Sequence, residues 1–243
     1  MTSARLPRIG VLPAGPCNAI SDVAGVTVGH CTLAEGPLQT GVTVLRPHTG
    51  DPFLDRVPAA AVVLNGFGKS IGLVQVEELG LLETPIALTN TFSVATVAQA
   101  QIRQCMAANP ETGRSLPTVN PLVFECNDGF LNDIQRMAIT EQHYLHACAT
   151  AKANIAQGSV GAGRGMSSFG LKGGIGTASV TVNGVSVGAL IAVNALGDVV
   201  DPATGQPIAG ARTADGRALR GSVRAALAGD APVSILAGSN TTI

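Results

Sequence analysis

The sequence predicts an α/β fold (α+β in the broader sense), with mixed or antiparallel sheets that are layered by helices. Apolar β-type runs alternate with segments of helical spacing, and Asn183-Gly184 separates two such runs, which is a strong hairpin signal. Hydrophobic residues make up 46% and charged residues 13% of the 243 residues, which favours well-covered sheets or a large subunit interface. The length favours one domain over two.

Each predicted element follows from its local pattern. Strands are predicted where β-type runs are bounded by turn residues, at 23–30, 41–46, 60–64, 85–88, 122–124, 178–182 and 185–193, with a strand-like run at 233–237. The run at 60–64 is continuously apolar, which predicts a strand buried on both faces. Helices are predicted at 70–81 with Ser70 as the N-cap, between Thr91 and about 108, at 143–155 and near 218–228.

Charge, aromatic content and cysteine count argue against several function classes. The net charge of -1 argues against a nucleic-acid binder, and the 3% of aromatic residues argues against a base-stacking or carbohydrate-binding surface. Five cysteines in no metal-type spacing with the four histidines predict reduced thiols in a cytoplasmic protein without a metal or other cofactor. The sequence offers no secretory signal and no apolar run of membrane-spanning length. We therefore expect a small-molecule substrate as the partner, rather than nucleic acid or a membrane.

Polar residues recur where the predicted buried strands end. Asn65, Asn90, Glu125 and Asn194 each occupy such a position. Active sites on α/β scaffolds often draw residues from strand ends, which favours one shared pocket. The alternative for any one of these residues is a structural role in capping a turn.

The usual catalytic motifs do not account for this chain. The glycine-rich stretch 158–165 does not fit a dinucleotide site, because it leads into loop and strand rather than a helix. Backbone amides that line a pocket, or tight sheet packing, are the other interpretations. The histidines and Ser167-Ser168 form no conventional Ser-His-Asp set. A hydrolase would need another base, such as an N-terminal amine with a pKa of about 7.7–8.0.

Such an amine can arise within the segment 238–243, where Thr241 directly follows Asn240. A hydroxyl in this position can attack the preceding carbonyl and cut the backbone. The cut would give Thr241 both a nucleophile and an amine base. The alternative is a frayed polar tail.

Several ordered segments carry a family resemblance across nearly the whole chain. They are GPCNAISDVAGVTVGH (15–30), GVTVLRP (41–47), NGFGKSIGLVQVEELG (65–80), ETPIALTNT (83–91), ECNDGFLNDI (125–134), GSVGAGRGM (158–166), FGLKGGIGTAS (169–179) and NTTI (240–243). In these segments the chain resembles the DmpA-type aminopeptidases, the family of D-aminopeptidases and β-peptidyl aminopeptidases. The specificity lies in the number and order of the matches.

The resemblance implies a DmpA/ArgJ-like αββα sandwich, similar in fold to the ornithine acetyltransferases. It implies a precursor that cuts itself between Asn240 and Thr241. Residues 1–240 are then an α subunit, and 241–243 begin a β subunit whose remainder is absent from this sequence. Thr241 would be the nucleophile, where most members use Ser and the related nylon-oligomer hydrolases use Thr. The high apolar content favours a homo-oligomer of such αβ units.

The resemblance also implies roles for residues of the pocket. Asn194 matches an asparagine whose side-chain amide helps to hold the oxyanion, and Glu125 matches an acid near the substrate amino group. Lys172 lies in a matching KGG segment and would orient the nucleophile, with a structural ion pair as the alternative. Asn65 and Asn90 line the pocket by analogy with the family.

The activity that the resemblance implies is release of N-terminal residues from small peptides or amides, including β- or D-amino acid peptides. Asn127 is expected at the substrate, where some members carry an aromatic residue. Substrate preference and tyrosine-assisted proton transfer therefore stay open. The alternatives are hydrolysis of nylon (6-aminohexanoate) oligomers, acyl transfer to ornithine, and a non-catalytic scaffold.

Overall fold

The structure is a computed structural model that describes residues 10–64, 68–168, 171–195 and 197–229. Its strands, numbered in chain order, are β1 Thr27–Glu35, β2 Leu38–Arg46, β3 Val57–Pro58, β4 Leu81–Leu82, β5 Ile86–Thr89, β6 Leu122–Glu125, β7 Ser167–Ser168, β8 Leu171–Lys172, β9 Gly174–Val182, β10 Val185–Val193, β11 Val199–Val200 and β12 Pro207–Ala209. Its α-helices are α1 Leu73–Leu79, α2 Val94–Ala108, α3 Glu141–Ala149 and α4 Ser222–Leu227. The run predicted at 233–237 lies outside the described residues.

A four-stranded mixed sheet in the order β1-β2-β5-β6 forms the centre of the fold. β1 and β2 make an antiparallel hairpin, and β2 also pairs antiparallel with β5. β5 and β6 run parallel. Parallel neighbours need a crossover connection, and α2 provides it. The carboxyl ends of β5 and β6 therefore lie at the same edge of the sheet.

The helices α2 and α3 cover one face of this sheet. An added Cβ at Gly29 would collide with the carbonyl oxygen of Ala147, so glycine allows β1 to approach the end of α3 closely. Full burial of an aliphatic side chain such as valine contributes about 1.5–3 kcal/mol. The buried cluster between sheet and helices consists of Val42, Val44, Ala87, Val94, Val97, Ala98, Ala100, Val123, Ile139, Tyr144, Ala147 and Cys148.

The opposite face of the sheet packs against a hairpin of β9 and β10. Asn183 and Gly184 form its turn, with φ of +51° and +77°, as a type I′ turn requires. The hairpin predicted from this dipeptide is therefore confirmed, and the layers are helices, sheet and hairpin. The buried residues between sheet and hairpin are Leu88, Cys126, Ala162, Met166, Ile175 and Ala192.

The prediction of a doubly buried strand at 60–64 is wrong. Val62, Val63 and Leu64 are 77%, 55% and 91% exposed, and no strand forms there. The neighbouring β3 pairs with β4 instead. An apolar run indicates that a segment can be buried, but it does not specify which segment of the chain will cover it.

Two helix boundaries also differ from prediction. α1 begins at Leu73 with Gly72 as its N-cap, and the predicted cap Ser70 accepts a hydrogen bond from the amide of Glu125 instead. α3 begins two residues before the predicted start, because a capping box of Thr140 and His143 fixes its N-terminus. It ends at Ala149, six residues before the predicted end. Within the described ranges, no helix combines the length and apolarity needed to cross a membrane.

Candidate active site

The edge of the sheet where β5 and β6 end gathers several of the predicted site residues. Thr89 and Glu125 are register partners at the ends of these parallel strands, and the amide of Cys126 donates to the Thr89 carbonyl at 2.8 Å. The segments that follow β5 and β6 therefore start side by side. Asn90 and Glu125 therefore lie at the same edge of the sheet, and their sharing of one pocket stays a prediction.

Asn90 uses both ends of its side-chain amide inside the fold. It is 2% exposed, and its Oδ1 accepts from the amide of Ser93 at 3.0 Å, which caps the turn before α2. Its Nδ2 donates to Thr40 Oγ1 at 2.9 Å. Asn90 thus fixes the exit from β5 against β2. Its contact with substrate stays a prediction.

Glu125 is a buried carboxylate at the end of β6, with 2% exposure. Thr91 Oγ1 donates to its Oε1 at 2.5 Å, and its backbone amide donates to Ser70 Oγ at 3.2 Å. Gly68 lies on the other side, where an added Cβ would stand 3.3 Å from Oε2. The hydrogen bond from Thr91 orients the carboxylate, which can attract a positively charged group.

Asn194 brings the hairpin layer into contact with the same edge of the sheet. It directly follows β10 and is 1% exposed, and its Nδ2 donates to the carbonyl of Asn127 at 3.1 Å. If the side-chain amide were flipped, its Oδ1 would lie against the carbonyl oxygen of Asn127, so this bond fixes the orientation of the side chain. Its Oδ1 is buried without a hydrogen-bond partner in the described chain. Glu125, Asn127 and Asn194, three of the predicted site residues, are therefore neighbours in the fold.

Lys172 is close to this group along the backbone. It lies in β8 opposite Ser167, and an added Cβ on the next residue, Gly173, would collide with the carbonyl of Val193. β8 therefore leads directly to the end of β10, beside Asn194. The Lys172 side chain is exposed and makes no ion pair with any described residue. Its action on the nucleophile stays a prediction.

Three predicted residues, Asn65, Asn240 and Thr241, lie outside the described residues. The structure adds three polar neighbours that sequence reasoning did not assign to the site. Thr91 and Ser70 hold Glu125, and Asp128 lies one residue beyond Asn127. Thr91 and Asp128 share the signal that marked the others, since each closely follows the end of a buried strand. Ser70 carried no such signal, because it contacts Glu125 from 55 residues away.

Burial changes the protonation of two groups beside Glu125. It raises the pKa of Asp128 to about 6, although hydrogen bonds from Thr40 and Asn132 oppose the shift. Burial, followed by the negative charges of Glu125 and Asp128, also raises the pKa of the Cys126 thiol. The thiol therefore stays protonated and is unsuited to act as a nucleophile. Among the described residues, His, Cys, Asp and Glu side chains form no group of three that could hold a metal ion.

Comparison with known proteins identifies the family of the chain. The sequence profile of peptidase family S58 matches residues 18–237. The chain belongs to peptidase family S58. This membership confirms the resemblance to DmpA-type aminopeptidases that the ordered motifs carry.

Relatives in the family are named as aminopeptidases. Beta-peptidyl aminopeptidase BapA of Sphingosinicella xenopeptidilytica is 39% identical over 194 residues, which cover 74% of this chain and 48% of the relative. An uncharacterized aminopeptidase of Mycobacterium leprae is 32% identical over 226 residues, or 81% of this chain and 58% of the relative. The chain thus spans about half the length of the curated relatives it matches.

Solved structures confirm the predicted fold class. A beta-aminopeptidase of Burkholderia sp. matches with a TM-score of 0.72 and 44% identity, over 76% of this chain and 54% of that chain. An L-aminopeptidase D-Ala-esterase/amidase of Ochrobactrum anthropi matches with a TM-score of 0.68 and 33% identity, over 77% and 55%. The latter is described as a prototype for the serine aminopeptidases and a new variant among the Ntn hydrolase fold. Mixed sheets layered by helices are therefore the fold of this S58 chain.

Proposed function

We propose that this chain is part of a self-cleaving aminopeptidase whose nucleophile is Thr241. The observation that carries the proposal is the convergence of Glu125, Asn127 and Asn194 at one edge of the sheet, in a chain of peptidase family S58. A cut between Asn240 and Thr241 would free the amine that serves as the base. Residues 1–240 would then form an α subunit, with 241–243 as the start of a β subunit.

In the proposed reaction, Thr241 Oγ1 attacks the carbonyl carbon of the first peptide or amide bond of the substrate. The hydroxyl proton passes to the α-amine of Thr241, whose ordinary pKa of about 7.7–8.0 leaves much of it neutral near physiological pH. The same proton then moves to the leaving nitrogen as the C–N bond breaks. Water hydrolyses the resulting ester, which releases the N-terminal residue and restores the hydroxyl.

Asn194 is proposed to stabilise the oxyanion through its side-chain amide. An NH2 group has two hydrogens, and the bond to the Asn127 carbonyl uses one of them. The second hydrogen is available for the oxygen on which negative charge develops. Loss of one such donor costs about 3–4 kcal/mol of transition-state stabilisation.

Glu125 is proposed to select substrates with a free amino group. Its carboxylate is buried and held by Thr91, so an ammonium group beside it would be attracted more strongly than in water. This preference would confine cleavage to the first residue of a peptide. Lys172 is proposed to orient the hydroxyl of Thr241, and Asn65 and Asn90 to support the pocket around the substrate.

The assembly and location are proposals of the same kind. The two subunits are expected to associate further into a homo-oligomer, which the 46% hydrophobic content supports. All five cysteines are free, which fits the reducing conditions of the cytoplasm. Light scattering on the purified protein would measure the number of αβ units, and a single unit would contradict the oligomer.

The decisive experiment compares Thr241→Ala with Thr241→Ser. The alanine variant lacks the hydroxyl, so we expect an uncut precursor by mass spectrometry and no turnover. The serine variant keeps a hydroxyl and should still be cut and active. Normal processing of Thr241→Ala would refute the assignment of the nucleophile.

A substrate panel then separates the alternative activities. Processed enzyme would be assayed with L-, D- and β-aminoacyl amides, with 6-aminohexanoate oligomers, and with an acyl donor plus ornithine. We expect release of free amino acids from the aminoacyl amides, with β-aminoacyl amides among the substrates. Faster acyl transfer to ornithine than hydrolysis would contradict the proposed aminopeptidase.

A further inference from the structure

A buried polar network joins the exits of β5 and β6 beside the candidate active site. Its central member is Asp128, which is 2% exposed. Asn132 Nδ2 donates to Asp128 Oδ1 at 3.0 Å, and the side chains of Thr40 and Asn90 also form hydrogen bonds with this carboxyl group. Each of the three bonds lowers the pKa of Asp128, which means that each stabilises the ionised carboxylate. The network therefore suits the ionised form, because a protonated carboxyl group has a hydrogen to donate.

This network is connected to the proposed oxyanion donor. Asn90, which directly follows β5, donates through Nδ2 to Thr40 Oγ1 at 2.9 Å. Asp128 follows Asn127, whose backbone carbonyl accepts from Asn194 Nδ2 at 3.1 Å. The hydrogen bonds on the Asp128 carboxylate thus anchor the segment that carries this carbonyl. A shift of the segment would move the carbonyl and, with it, the side-chain amide of Asn194.

The glycine-rich stretch 158–165 packs against Asp128 from another direction. An added Cβ at Gly165 would stand 2.7 Å from the Cβ of Asp128 and would collide with the carbonyl oxygen of Gln39. Glycine therefore allows this stretch to approach both residues closely and to shield the carboxyl group from water. The amide of Gln39 donates to Asn132 Oδ1 at 3.0 Å, so the side chain that donates to Asp128 is itself held in place.

Burial has the largest influence on the protonation of Asp128, and it raises the pKa to about 6. The titratable or charged groups on the elements around it are Glu125 and the protonated thiol of Cys126 at and just after the end of β6, Arg164 in the glycine-rich stretch, and Asp133 in the loop that follows. Asp133 pairs with an arginine of its own loop at 3.0 Å. The first residues of β2 and the residues that directly follow β5 are neutral. The Asp128 carboxyl group thus gains or loses its charge in a pH range in which the enzyme can be assayed.

We propose that Asp128 is a positioning residue whose ionised carboxylate holds the side-chain amide of Asn194 in the orientation that stabilises the oxyanion. When the carboxyl group takes up a proton, it must donate where its neighbours also donate, so the network rearranges. The carbonyl of Asn127 then shifts, and the second hydrogen of the Asn194 amide no longer points at the oxyanion. The inference rests on the proposed oxyanion role of Asn194, and it adds a residue that touches neither the substrate nor the nucleophile.

Steady-state kinetics of the processed enzyme with a β-aminoacyl amide test the proposal. Asp128→Asn resembles the protonated acid and cannot ionise. At about pH 7.5 we expect its kcat to be about tenfold lower with KM unchanged, because the oxyanion forms only in the transition state. The loss is smaller than the hundredfold or more that follows removal of an oxyanion donor, since the donor is misaligned rather than absent.

The pH profile separates positioning from a merely structural role. As the pH falls, the ratio of wild-type to Asp128→Asn kcat should decline toward one, with a midpoint at about pH 6, because the wild-type carboxylate becomes protonated. The α-amine of Thr241 titrates in both proteins and cancels in the ratio. Loss of folded enzyme in the variant would give no such return to one. Asp133→Asn is the matched control, since it removes an exposed carboxylate of the same loop, and it should keep the wild-type kcat throughout.

A second measurement does not require peptidase activity. Nuclear magnetic resonance of protein with isotope-labelled asparagine side chains would follow the amide of Asn194, whose signal is identified by its absence in Asn194→Asp. We expect this signal to shift with a midpoint at about pH 6 in the wild type and to stay constant in Asp128→Asn. That shift in a protein without hydrolytic activity would support the positioning role while refuting the proposed function. Hydrolysis with an unchanged kcat in Asp128→Asn, or an Asn194 signal that does not depend on pH, would each overturn the inference.

Discussion

The central sheet and the β9–β10 hairpin are both built from apolar strands, yet within the described residues only the sheet is covered on both faces. Helices bury one face of the sheet and the hairpin buries the other. In the hairpin, Ile175 and Ala192 face the sheet with 2% and 0% exposure, whereas Val185 and Val187 on the outer face are 63% and 62% exposed. The alternation along β10 places its most apolar side chains outward.

This difference teaches that an apolar face of a strand is not by itself a buried face. Period-two alternation predicts which residues share a face, and the hairpin obeys it in register. What covers a face depends on the rest of the fold. Among the described residues, exposed apolar surface of this kind marks the strands whose outer face lacks a covering layer.

The largest expected effect comes from the layer where sheet and hairpin meet. Leu88 lies on β5 with 3% exposure, in the cluster that contacts the hairpin. Leu88→Ala should lower the free energy of unfolding by about 2–5 kcal/mol, because it removes buried surface and leaves a cavity. Urea denaturation followed by circular dichroism measures the change. Loss of less than about 1 kcal/mol would show that the two layers are not packed as described.

The comparison also explains how much the sequence predicted. The hairpin and α2 were predicted because their signals are local: Asn183-Gly184 specifies a turn, and the spacing from Val94 to Ala108 specifies a helix. The run at 60–64 was predicted as a buried strand and is exposed, because burial requires a partner that the run does not encode. Strand-end positions identified Glu125 and Asn194 as neighbours of one edge without showing how they meet.

The contacts within the candidate site could not be predicted from local patterns. Ser70 reaches Glu125 across 55 residues, and Asn194 reaches Asn127 across 67. Such pairs depend on the layer arrangement, which is fixed only when sheet and hairpin pack together. Thr91 and Asp128 carry the strand-end signal, but that signal does not show that Thr91 binds Glu125.

The pH dependence of stability due to Asp128 measures how well the sheet edge is shielded from water, compared with the face that the helices cover. It is 2% exposed and accepts from Asn132 at 3.0 Å, and burial raises its pKa from 3.8 to about 6. The folded state therefore holds this proton more tightly than the unfolded state does. Its contribution to stability is fully present below about pH 4 and is lost as the pH rises through about 6, amounting to about 3 kcal/mol at about 1.4 kcal/mol per pKa unit.

Asp128→Asn cannot titrate and should lack this fall in stability between about pH 4 and 6. Urea denaturation of both proteins across this range measures the difference. Asp133→Asn is the control, because it removes an exposed carboxylate from the same loop and should keep the wild-type profile. Parallel pH profiles for wild type and Asp128→Asn would contradict an enclosed carboxyl group.

The smallest expected effect lies on the outer face of the hairpin and sharpens the comparison most directly. Val187→Thr keeps the β-branched shape and places a hydroxyl at a site that is 62% exposed, so the free energy of unfolding should change by no more than about 0.5 kcal/mol. Val44→Thr makes the same change on β2 at 0% exposure, where the hydroxyl is cut off from water. It should cost about 1–3 kcal/mol. Equal losses in the two variants would mean that the outer face of the hairpin is covered in solution, and the contrast between the two regions would then disappear.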